Sequence, residues 1–85
     1  MNQDNFESFS KAYREKLTEA VVAKPNHFFY SPGDASTVAD KMLKAIVTNP
    51  LMVNYGGEGF KRTCKALGIK NTRKAIFEYL GIEKK

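Results

Sequence analysis

Hydrophobic residues recur every three or four positions over residues 5–23: Phe6, Phe9, Tyr13, Leu17, Ala20 and Val21. A helix turns once per 3.6 residues, so these side chains share one face and predict an amphipathic helix. Asp4 or Asn5 suits the start as a cap, and Lys24-Pro25 ends it, because proline pushes the preceding residue out of the helical region. A second stripe, Val38, Ala39, Met42, Leu43, Ala45 and Ile46, predicts a helix running to about Asn49. Ser31-Pro32-Gly33-Asp34 opens it, with Ser31 as cap, Pro32 at the first helical position and Asp34 third, as in a capping box. Asn49-Pro50 closes it.

The period breaks twice. Residues 25–30 carry His27, Phe28, Phe29 and Tyr30 in a row, which suits a short extended segment across the core. Residues 51–55 are apolar and partly β-branched, and read equally as strand, continued helix or loop. Pairing with residues 27–30 would make a small two-stranded element.

Periodicity resumes in the last third. Ala66-Leu67-Gly68-Ile69 and Tyr79-Leu80-Gly81-Ile82 repeat one stop signal. A glycine after the last helical residue takes the left-handed conformation, and the next apolar residue folds back on the helix. Helices are predicted over residues 58–67 and 72–80, the second capped by Asn71. Phe60, Cys64 and Leu67 face inward on the first, and Ala75, Ile76, Tyr79 and Leu80 on the second. The expected fold is all-α: one compact domain over residues 1–85, a bundle of about four short helices ending in a helical hairpin.

Composition narrows the function. The 85 residues are 42% hydrophobic and 12% aromatic, enough for one small core and too little for a deep two-part cleft. One cysteine, Cys64, allows no intrachain disulfide and no cysteine-based zinc site. No secretory signal stands near the first residues and no apolar run approaches a membrane span, so the expected setting is a reducing cytoplasm. Charge is divided unevenly. Residues 1–57 hold six basic and six acidic groups and are neutral, whereas residues 58–85 hold eight basic against three acidic. The whole net charge of +5 therefore lies in the last third, and residues 61–74 have six basic groups and no acid. Such asymmetry points to a polyanionic partner or, otherwise, to a solvated helical face that keeps the protein soluble.

The segment from Phe60 to Ile76 resembles a helix-turn-helix. Cys64, four before Gly68, holds the small inward position where the two helices cross, and Ile69 follows the turn glycine. One position departs from the pattern: Lys74 stands six after Gly68, where such motifs place an apolar residue. The resemblance implies DNA binding. Asn71, Thr72, Arg73 and Lys74 would head a helix entering the major groove, with Arg73 suited to guanine and Asn71 to adenine. Lys61, Arg62, Lys65 and Lys70 would neutralise phosphates. A single small module binds weakly, so a homodimer is expected. Residues 60–80 also resemble the C-terminal ends of small uncharacterised phage or prophage proteins. That likeness implies an accessory protein of the bacterial cytoplasm that binds DNA or modulates a host protein.

The remaining candidates read as structural. His27 is the only histidine and suits a surface or core edge. Phe28, Phe29 and Tyr30 read as core rings, or otherwise as a protein interface. Gly56-Gly57-Glu58-Gly59 lacks the strand and the Lys-Ser/Thr of a phosphate loop and reads as a flexible linker. No acid–base pair, metal cluster or cofactor motif stands out. The expectation is a non-enzymatic protein that needs no cofactor.

Overall fold

The computed structural model describes residues 2–82. Glu83, Lys84 and Lys85, counted above in the basic third, lie outside the described residues. The fold is all-α. Four α-helices run over Gln3–Ala23 (α1), Ala35–Thr48 (α2), Gly57–Leu67 (α3) and Arg73–Leu80 (α4). Tight 3-10 turns occupy Pro25–His27, Pro32–Asp34 and Pro50–Tyr55. There is no strand among the described residues, so the two-stranded pairing does not form. Proline opens each of the three turns, and its fixed φ starts a helical turn there instead of an extended one.

The longest helix is the axis of the molecule. At 1.5 Å per residue, the 21 residues of α1 span about 32 Å, close to the longest dimension of 35 Å. The other three helices pack on it, and α3 and α4 touch α1 more than each other. Its buried positions, Phe9, Tyr13, Leu17, Ala20 and Val21, all belong to the predicted stripe. Against them stand Ala35, Ala39, Leu43 and Ile46 of α2, Phe60 and Cys64 of α3, and Ile76, Phe77 and Leu80 of α4. Phe60 is the hub. Its ring meets Phe9 edge-on at 5.4 Å and Tyr13 at 4.6 Å. Such pairs add about 0.5–1.5 kcal/mol each beyond the area they bury. Phe77 is buried as well: it shares one face of α4 with Ile76 and Leu80, within about 100° of arc, and so widens the predicted stripe.

Several ends differ from expectation. The cap of α1 is Asn2, whose side chain accepts from the Asn5 amide, so neither Asp4 nor Asn5 fills that place. Asn5 instead donates its side-chain amide to the Tyr79 carbonyl at 2.8 Å, and the Asn2 amide donates to Leu80. These bonds satisfy carbonyls left open at the end of α4 and tie the first helix to the last. Ser31 does not cap the following amides. Its hydroxyl donates to the Asp34 carboxylate at 3.0 Å, and α2 begins only at Ala35. Thr72, not Asn71, caps α4 by accepting from the Ala75 amide.

The repeated stop signal behaves as predicted. Gly68 and Gly81 are left-handed, at φ 72° and 70°. The amides of Ile69 and Ile82 return to the carbonyls of Cys64 and Phe77, and both isoleucines pack on the core. The other glycine cluster is no linker. Gly59 is buried inside α3, where a β-carbon would lie 2.7 Å from the Tyr13 ring and 2.9 Å from Leu17. At Gly56 a β-carbon would overlap the ring of Phe60, in α3 itself, so this glycine makes room for that ring. Gly59 is the glycine that lets α3 approach α1.

The aromatic run at residues 28–30 is divided rather than tucked in as a unit. Phe28 and Tyr30 pack partly on the core, while Phe29 is fully exposed. His27 is exposed, with its ring edge-on to Phe28.

Candidate nucleic-acid interface

Helix α3 has two chemically distinct sides. Gly59, Phe60, Thr63 and Cys64 are buried, and Thr63 donates its hydroxyl to the Gly59 carbonyl at 2.7 Å, so no polar group is stranded inside. Burial pushes the Cys64 thiol above its ordinary range, away from the reactive thiolate. On the opposite side Lys61 and Lys65 stand one turn apart and exposed, with Arg62 half-buried beside them.

An open groove of about 410 Å³ separates this outer side from α1, lined by Lys16, Glu19, Glu58, Lys61, Arg62 and Lys65. Two ion pairs close within it. Arg62 Nε donates to Glu58 Oε1 at 3.2 Å, and Lys16 Nζ meets Glu19 Oε2 at 3.0 Å. The bond from Arg62 holds the Glu58 carboxyl below its usual range, with the charges of Lys24, Lys61 and Arg62 acting the same way against partial desolvation. Lys61 and Lys65 have no carboxylate within ion-pair distance among the described residues.

Lys70, Asn71, Thr72, Arg73 and Lys74 form a second exposed run across the turn and the first turn of α4. The Thr72 hydroxyl is occupied in capping. Arg73 Nη2 donates to Asn54 Oδ1 at 3.4 Å, reaching back to the Pro50–Tyr55 turn. Lys70 and Lys74 make no ion pair among the described residues.

The eight positions singled out in the sequence thus form two sets. Lys61, Arg62 and Lys65 line the groove, and none of residues 70–74 does. The aromatic candidates Phe28, Phe29 and Tyr30 do not line the groove. Lys16 and Asn54 join the two sets only through tertiary contact. Both sit amid ordinary helix or turn residues, and nothing local in the sequence marks them.

Among the described residues, no three His, Cys, Asp or Glu side chains converge to hold a metal ion. No helix there is long and apolar enough to cross a membrane. No protein-family model, curated protein or solved structure matches this chain.

Proposed function

We propose that this chain is a small regulatory protein that binds nucleic acid, DNA in the first instance, through the outward side of residues 61–74. One observation carries the reading. Lys61, Lys65, Lys70, Arg73 and Lys74 are exposed and make no ion pair with a carboxylate among the described residues, while the opposite sides of α3 and α4 are packed into the core. The cations leave the packing undisturbed and remain available to phosphates. Arg62 contributes less, since Glu58 already neutralises it. Phosphate contacts then supply most of the affinity.

Binding of a labelled DNA duplex at low salt tests this. Affinity is expected to fall steeply as salt rises, because each neutralised phosphate releases counterions. Lys65→Glu combined with Arg73→Ala is expected to abolish the shift, or to lower the salt slope by about two if residual binding is measurable. Failure to bind any DNA at low salt overturns the reading.

A second reading rests on Phe29. A fully exposed phenylalanine on a turn braced by Phe28 and Tyr30 suits a hydrophobic contact with a host protein. Under it, capture of a defined partner from nuclease-treated lysate persists, and Phe29→Ala abolishes it.

A further inference from the structure

The Pro50–Tyr55 turn meets the start of α4 although Asn54 and Arg73 are 19 residues apart. Asn54 takes one N–H of the Arg73 guanidinium, fixing its approach while leaving its other donors open. Tyr55 follows directly and is 71% exposed, whereas Val53 and Gly56 on either side of this pair are buried and anchor the backbone. The core does not use the Tyr55 ring. Neighbouring α-carbons lie about 3.8 Å apart, so an exposed aromatic sits one residue from the side chain that steadies the arginine. In a duplex the base faces are stacked on one another, and only an unpaired base offers its face to a ring.

We propose that the Pro50–Tyr55 turn belongs to the nucleic-acid face and selects single-stranded nucleic acid: Arg73, steadied by Asn54, takes a backbone phosphate, and Tyr55 stacks on an adjacent unpaired base. This rests on the nucleic-acid reading above and adds to it the class of nucleic acid. Arg73 is the contact, Tyr55 the stacking platform, and Asn54 a positioning residue.

The test is fluorescence anisotropy with labelled oligothymidine, longer than the roughly 4–16 nucleotides that a small single-strand-binding fold covers, beside a duplex of equal length. Circular dichroism checks that each variant is folded. Tyr55→Ala is expected to weaken oligothymidine binding at least about fivefold, since a stacked base contributes on that scale, with the duplex unchanged. Tyr55→Phe retains binding. Asn54→Ala weakens oligothymidine binding in the native background and has no further effect when Arg73→Ala is already present, because the two act as one unit. If Tyr55→Ala matches the native chain on oligothymidine while Lys61→Glu with Lys65→Glu weakens it, the turn has no part in binding and this inference falls alone. If the native chain binds neither probe, the nucleic-acid reading itself fails and takes this inference with it.

Discussion

The first two thirds of the chain and the last third treat apolar residues alike and charge differently. Both supply aromatic and aliphatic side chains to one core built around α1. In residues 1–57, six basic and six acidic groups balance, and Arg14 of α1 meets Asp40 of α2 at 3.5 Å while Lys16 meets Glu19. There, charge links a helix to its neighbour or to its own next turn. From residue 58 onward basic groups outnumber acidic ones, and Arg62–Glu58 is the one ion pair among the described residues of this third. Exposed ion pairs contribute little to stability, about 0–1 kcal/mol. The last third therefore gives up little by leaving its cations unpaired. Its inner side holds the fold, and its outer side is open to another molecule.

The strongest break of that contrast is at the shared core. Phe60→Ala removes the ring that joins α3 to Phe9 and Tyr13 and should cost about 3–5 kcal/mol. Denaturant unfolding would show one destabilised transition, with both thirds lost together. Gly59→Ala comes next. The added methyl meets Tyr13 and Leu17 at under 3 Å and should cost about 1–3 kcal/mol, although alanine favours helix. A neutral or stabilising result would show that α3 does not need its close approach to α1.

Gly68→Ala isolates backbone from packing. No atom lies within 4 Å of the added carbon, so the cost comes from the left-handed φ alone, about 1–2 kcal/mol. Thermal unfolding measures it. The smallest effects sharpen the comparison from the surface. Asp40→Asn should lower stability by less than about 1 kcal/mol by removing the link to Arg14. Lys65→Glu should change stability by no more than about 0.5 kcal/mol while weakening DNA binding. A larger loss of stability from Lys65→Glu would mean that the basic side serves the fold.

Sequence alone determined a good deal here. The helical stripes, the proline boundaries and the paired glycine stops follow from local preferences: a 3.6-residue period, a ring that fixes φ, and a residue free to take positive φ. These place Phe9, Tyr13, Leu43, Phe60 and Ile76 in the core and leave the lysines of residues 61–74 outside it. Tertiary structure decided what local preference leaves open. Residues 51–55 have apolar content suited to strand or helix, and they became a turn because α2 and the core accept Val53 and Met52 there. The glycine cluster at residues 56–59 looks like a hinge in one dimension, and Gly59 within it proves to be the spacing that lets α3 touch α1. Asn2 and Asn5 bind the end of α4, about 75 residues away, and Asn54 reaches Arg73. No short window contains such pairs. Local sequence sets which face each helix buries, and only packing on α1 sets which exposed side chains become neighbours.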